Sequence, residues 1–171
     1  MTEQTNRVKP STTAPAATPT PPTGGDRPSV LFLCVHNAGR SQMAAGWLER
    51  LGRGRLEVYS AGSDPAGGLN PAAVAAMAEV GIDIANARPK RWTEELTLAA
   101  DVVVTMGCGD SCPVAPGARQ EDWPVDDPAG QPIEVVRRVR DDIRDRVVEL
   151  AASLGVAPVT APGEHVEGSI R

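Results

Sequence analysis

A chain of 171 residues, 41% hydrophobic but only 3% aromatic, is long enough for one domain whose core is built from Ala, Val, Leu and Ile, a composition that suits layered α/β packing. Its net charge of −5 supplies no broad positive field for nucleic acid or an anionic membrane, so any anion must be held locally. No signal-peptide-like run opens the sequence and no stretch approaches the roughly 20 apolar residues that span a bilayer, so a cytoplasmic protein is expected, with three cysteines kept as free thiols rather than staples.

Met1 to about Pro28 is rich in Thr, Pro and Ala and too poor in large apolar groups to offset the entropy of ordering; it is predicted as a disordered tail, with the folded domain over 29–154. Val30-Leu31-Phe32-Leu33 is a short continuous apolar run, as expected of a central strand covered on both faces. After a polar loop, Gln42 to Leu51 has helical spacing, with Met43, Trp47 and Leu51 on one face. Leu56 to Ser60 reads as a second strand, and Pro71 to Val80 as a helix that Gly81 ends, giving a right-handed βαβ start. A short helix is predicted over Thr93 to Leu98, a buried strand over Asp101 to Met106, and a weaker strand near Arg119 to Asp122. The final helix, about Ile133 to Leu154, repeats Val136, Val139, Ile143, Val147 and Leu150 along one stripe. Residues 155–171 have no periodicity and are expected to be flexible.

Directly after the first strand comes Cys34-Val35-His36-Asn37-Ala38-Gly39-Arg40-Ser41, a cysteine and an arginine separated by five residues and leading into a helix. A loop of this length can turn its N–H groups toward one centre while the helix N-terminus adds positive charge, which suits a tetrahedral oxyanion bound by Val35, His36, Asn37, Ala38, Gly39, Arg40 and Ser41. Arg40 supplies a planar fork for two oxygens, a geometry lysine lacks. The same field favours a Cys34 thiolate and makes its sulfur a nucleophile. Ser41 has two compatible readings, a hydroxyl donor to that thiolate and a helix N-cap. His36 is read as loop structure facing away from the anion and not as a general base. The nucleotide phosphate loop is excluded, because its Gly-Lys-Ser/Thr ending is missing.

Trp123-Pro124-Val125-Asp126-Asp127-Pro128-Ala129-Gly130 puts two carboxylates on a proline-stiffened loop, where a general acid is plausible beside an anion site and a simple turn is the bland alternative. Cys108-Gly109-Asp110-Ser111-Cys112-Pro113 carries two cysteines at a spacing that permits a disulfide if the segment is not regular strand. Zinc competes poorly, since its sites need three or four ligands at other spacings. Inert packing is disfavoured by the flanking glycines.

The cysteine loop, Arg40-Ser41-Gln42-Met43-Ala44, Tyr59-Ser60-Ala61-Gly62, Val103-Val104-Thr105 and Asp127-Pro128-Ala129-Gly130 together resemble the low-molecular-weight protein tyrosine phosphatase family, and within it the thioredoxin-coupled arsenate reductases with three cysteines. The resemblance spans roughly Ser29 to Leu154. It implies a three-layer α/β sandwich with a four-stranded parallel sheet, Cys34 as nucleophile, Arg40 as anion clamp, Asp127 as the acid that protonates the leaving oxygen, and Asp126 in support. It also implies a relay in which Cys108 and then Cys112 take up the oxidation, with thioredoxin as electron donor, arsenate as substrate, phosphate as competing anion and no bound cofactor. Some relatives hold a potassium ion through carboxylates, but the matching positions here are Ala45 and Lys90, so no metal is expected and the Lys90 ammonium is the candidate replacement.

The aromatic residue that phosphatases of the family place after Asp-Pro is replaced by Ala129-Gly130, which removes a wall for tyrosyl substrates. The competing readings are an arsenate reductase using mycothiol or glutathione, a phosphotyrosine phosphatase, and a non-enzymatic redox or anion sensor triggered at Cys34. Cys108 and Cys112 argue against the first two, and the full Cys, Arg and Asp set argues against the third.

Overall fold

The computed structural model describes residues 27–113 and 115–156. Most of the two predicted tails lies outside the described residues. At the edges of the predicted domain, Arg27 pairs with Glu57 at 3.1 Å and Val156 is buried in the main core, so packing reaches past both boundaries.

Four strands, β1 (Ser29–Cys34), β2 (Glu57–Gly62), β3 (Val102–Thr105) and β4 (Arg119–Asp122), form one parallel sheet in the order β2-β1-β3-β4. Four helices, α1 (Arg40–Gly52), α2 (Pro71–Glu79), α3 (Glu94–Ala99) and α4 (Ile133–Ser153), cover it. The α/β architecture read from the sequence is the observed one. The β2 strand runs two residues beyond its predicted end because β1 pairs with it along its full length, Ser29 with Glu57 through Cys34 with Gly62.

Side chains of the central strand alternate between two cores, as the two-residue strand period requires. Val30, Phe32 and Cys34 join a cluster with Met43, Trp47 and Leu48 of α1, Met77 of α2 and Val139, Ile143 and Val147 of α4. Leu31 and Leu33 join a second, smaller cluster with Leu96 of α3, Val103, Ala115 and Cys108. These two apolar layers on either side of the sheet explain why β1 shows no polar alternation: Val30 to Leu33 are fully buried, each burial stabilising by about 1.5–3 kcal/mol for a large aliphatic or aromatic side chain.

Helix ends follow local chemistry. Asn70 caps α2, its side-chain oxygen accepting from the Ala72 N–H at 3.0 Å, with Pro71 at the first helical position. Thr93, expected inside α3, is its N-cap and accepts from the Leu96 N–H at 3.1 Å. Glu79 on α2 bonds both Arg137 and Arg140 of α4, and Arg140 also donates to the Ala76 carbonyl at 2.9 Å, tying the two helices across the top of the main core.

Candidate active site

Because β1 and β3 are parallel neighbours, the loops that follow them leave the sheet at the same end, where ligands of open α/β sheets bind. The Met106 N–H donates to the Leu33 carbonyl at 2.8 Å, so the chain reaching Gly107 passes directly beside the chain reaching Cys34.

The loop after β1 turns its carbonyls outward. Those of Cys34, Val35, His36 and Ala38 accept from the N–H groups of Ser63, Asp64, Ala66 and Asn70 at 3.3, 2.8, 3.0 and 2.9 Å. The N–H groups from Val35 to Ser41 have no acceptor among the described residues, so a curved row of donors faces the concave side, as in an anion nest. The α1 helix starts at Arg40, two residues before its predicted start, and adds its N-terminal field to that row.

Asn37 organises the loop from inside. It is fully buried and takes a left-handed backbone, φ 49°, a conformation asparagine tolerates better than most residues. Its side-chain oxygen accepts from the Lys90 backbone N–H at 3.0 Å and from Gln42 Nε2 at 3.1 Å. A backbone N–H can only donate, so the amide orientation is fixed and Asn37 Nδ2 must be the group that donates to Ser41 Oγ at 2.8 Å. That leaves the Ser41 hydroxyl hydrogen to point at Cys34 Sγ, 2.9 Å away. Ser41 therefore serves the sulfur; the helix cap position belongs to Gly39. The sequence did not reveal the parts played by Gln42 and the Lys90 backbone, because both act through pairings set by tertiary structure.

Cys34 is the one free cysteine and is 2% exposed. With His36, Ala38, Gly39, Arg40, Asn70, Asp127 and Ala129 it lines a small cavity of about 30 Å³. His36 itself is exposed, its Nδ1 at 3.0 Å from the Asp64 carbonyl oxygen. Arg40 is buried and held between the Val125 carbonyl at 3.4 Å and the Asp127 carboxylate at 3.5 Å. Asp127 is half exposed, and its other oxygen accepts from the Ala129 N–H at 3.0 Å. Cys34, Arg40 and Asp127, separate in sequence, thus meet at one cavity, while Asp126 is exposed and does not line it.

Gly107 closes the far side of Arg40. It has φ +76°, and a Cβ there would collide with the Arg40 guanidinium. Gly107→Ala is therefore expected to displace Arg40, weakening oxyanion binding by about tenfold or more, with a folding cost of about 1 kcal/mol from the left-handed backbone. Phosphate titration by calorimetry and a urea melt check the two effects separately; unaltered phosphate affinity would mean that Arg40 is not constrained from this side.

One residue further, Cys108 is buried in the second core and joined by a disulfide to Cys112, with a Cα–Cα separation of 5.6 Å. A 3-10 turn, Gly109–Ser111, spans the gap. Cys112 is only partly buried. Cys34 and Cys108 belong to cores on opposite faces of the sheet.

Behind the cysteine loop lies a cavity of about 300 Å³ lined by Gln42, Ala45, Glu49, Ser60, Asp83 and Lys90 among others. Burial holds the Lys90 ammonium below its usual range against the pull of Glu49, and burial raises the Glu49 carboxyl against the opposing pull of Lys90. A carboxyl raised in the folded state contributes stability that is present below its unfolded pKa, near 4.5, and is lost as pH rises through the folded value. Lys90→Met removes the opposing attraction and does not itself titrate in this range, so the variant should lose more stability than wild type between acid and neutral pH. Urea unfolding across that range tests this, and parallel profiles would count against the pair.

Residues 29–158 match the family described as low molecular weight phosphotyrosine protein phosphatase. The chain is 45% identical over 132 residues to the arsenate reductase of Bacillus subtilis, covering 71% of this chain and 94% of that one. It superposes on the thioredoxin-dependent arsenate reductase of Corynebacterium glutamicum with a TM-score of 0.67 at 40% identity, covering 75% of this chain but only 62% of that chain. An arsenate reductase in the phosphate binding state gives a TM-score of 0.66 at 36% identity, with 74% and 98% covered.

Proposed function

From its membership of the low molecular weight phosphotyrosine protein phosphatase family and the geometry of its cysteine loop, we propose that this chain is a thioredoxin-coupled arsenate reductase, with Cys34, Arg40, Asp127, Cys108 and Cys112 as its reacting or anion-holding residues. The observation that carries the reading is the pairing of a row of N–H groups around Cys34, free among the described residues, with a cysteine pair on the adjacent loop, joined here as a disulfide. A phosphatase has no use for the second feature.

The residues divide the work as follows. The N–H row from Val35 to Ser41 and the Arg40 fork hold three arsenate oxygens, and the fourth points to Asp127. The Ser41 hydroxyl stabilises the Cys34 thiolate, which attacks arsenic as Asp127 gives its proton to the departing hydroxyl of the arsenate, released as water. The Cys108 thiolate then attacks Cys34 Sγ. The arsenic–sulfur electron pair leaves with arsenite, so arsenic gains two electrons and the two sulfurs lose them. Cys112 attacks Cys108, frees the Cys34 thiolate and leaves the Cys108–Cys112 disulfide. Cys108 must leave the second core to reach Cys34, and the left-handed glycines on either side, Gly107 and Gly109, supply turning points for that movement. Thioredoxin restores both thiols by the same exchange.

Phosphate competes for the nest because its size and charge are close to those of arsenate. No monovalent cation enters the reading, since in the cavity behind the loop the Lys90 ammonium already supplies the positive charge that faces Glu49. Among the described residues no helix is long and apolar enough to cross a membrane, and the need for reduced thiols fits a cytoplasmic setting.

Asp127→Asn keeps the shape of the loop but removes the proton, and is expected to lower kcat by about 10²-fold with little change in phosphate affinity. Steady-state kinetics with phosphate as inhibitor test this; an undiminished kcat would remove Asp127 from the chemistry.

A further inference from the structure

The Cys108–Cys112 disulfide can be reopened only by a thiolate that reaches one of its sulfurs in line. Cys108 is 6% exposed and packed among Leu31, Leu33, Leu96 and Val103, so approach is open from the Cys112 side. Pro113 lines two hollows of different character, and Cys112, next to it in the chain, lines the first of them. One, about 270 Å³, is lined by Thr105, Gln120, Glu121 and Asp122 together with the Cys112–Pro113 segment, and carries two carboxylates. The other, about 330 Å³, is lined by Trp92, Glu94, Thr97, Leu98, Pro113 and Pro116, and is mostly apolar. Leu98 is 60% exposed and is the single large hydrophobic residue so exposed among the described residues.

An isolated exposed leucine needs no explanation, but one that shares a hollow with a tryptophan and two prolines beside a disulfide that a protein must reach is a different matter. The sequence does not force it out: α3 already buries Leu96 and Thr97, and its packing on the sheet does not use Leu98. Resting on the thioredoxin reading above, we propose that the hollow formed by Trp92, Leu98, Pro113 and Pro116 is the docking surface for the reducing dithiol protein, which lays an apolar rim around its attacking cysteine onto this face. Its thiolate forms a mixed disulfide with Cys112 and releases the Cys108 thiolate. The partner's second thiol then displaces Cys112, so the partner ends as a disulfide and this chain regains two thiols, with two electrons transferred. Leu98 acts through binding alone and takes no part in the arsenate chemistry.

The test is the rate at which the oxidised full chain is reduced by reduced thioredoxin and, separately, by dithiothreitol, for wild type, Leu98→Lys and Leu98→Met. Leu98→Lys is expected to slow reduction by thioredoxin by about tenfold or more, as loss of a central apolar anchor does. Reduction by dithiothreitol should be unchanged, and Leu98→Met should restore the thioredoxin rate. Equal slowing with both reductants would place the damage at the disulfide and overturn the proposal, as would no slowing with either. If wild type sediments as a dimer that Leu98→Lys dissociates while the thioredoxin rate holds, the hollow is a self-interface and the proposal fails. If thioredoxin does not reduce wild type at all, the underlying thioredoxin reading falls and the docking surface with it, an outcome distinct from a wild type that is reduced and a variant that is reduced equally well.

Discussion

Cys34→Ser should lower arsenate-dependent oxidation of NADPH, coupled through thioredoxin and thioredoxin reductase, by at least about 10³-fold, because an unassisted hydroxyl is a far weaker nucleophile than a thiolate. The structure makes this substitution unusually clean. Cys34 is buried at the end of β1, and serine is smaller than cysteine, so the nest and the Asn37 network should persist. Phosphate binding, which needs the N–H row and Arg40 but not the sulfur, is expected to survive, measured by calorimetry under the same conditions. A variant that turned over arsenate at a tenth of the wild-type rate would move the chemistry elsewhere, and one that lost phosphate binding as well would indicate a collapsed loop.

The second large effect separates Cys108 from Cys112. Both Cys108→Ser and Cys112→Ser should reduce steady-state thioredoxin-coupled turnover by about 10³-fold, since each breaks the proposed relay that carries oxidation away from Cys34. They should fail at different points. Cys108→Ser has no thiol to attack the Cys34 adduct and is expected to release no arsenite in a single turnover. Cys112→Ser should release about one equivalent and stop with Cys34 and Cys108 joined, visible by peptide mapping. If Cys108→Ser and Cys112→Ser both turned over freely with glutathione or mycothiol, the relay would be dispensable and a small-thiol reductase would take its place. If both kept full thioredoxin-coupled activity, the pair would be structural.

The sequence carried the site further than its supports. Cys34, Arg40 and the Asp127 loop were legible because contiguous motifs encode them, and the sheet was legible because β1 and β3 are uninterrupted apolar runs. Two things were not. The dual reading of Ser41 could be resolved only by the hydrogen-bond chain from the Lys90 N–H through Asn37, and a pairing across 53 residues leaves no local trace. In the sequence Gly107 stands only as one of the glycines flanking the cysteines. Its tight fit against Arg40 depends on β3 lying next to β1, which no periodicity along the chain reveals. The short turn at Gly109–Ser111 was missed for a different reason: three residues are too few for a helical pattern to register.

The strand order β2-β1-β3-β4 has a bearing on how such a catalyst can be altered. In the reading proposed above, oxyanion capture belongs to the connection after β1 and electron supply to the connection after β3. The frame that aligns the two is the β1–β3 ladder, which contains neither. A designer who keeps Gly107, which fits against Arg40, can therefore exchange residues 108–118 as a cassette, leaving the capture loop untouched, and so convert one reductant preference into another.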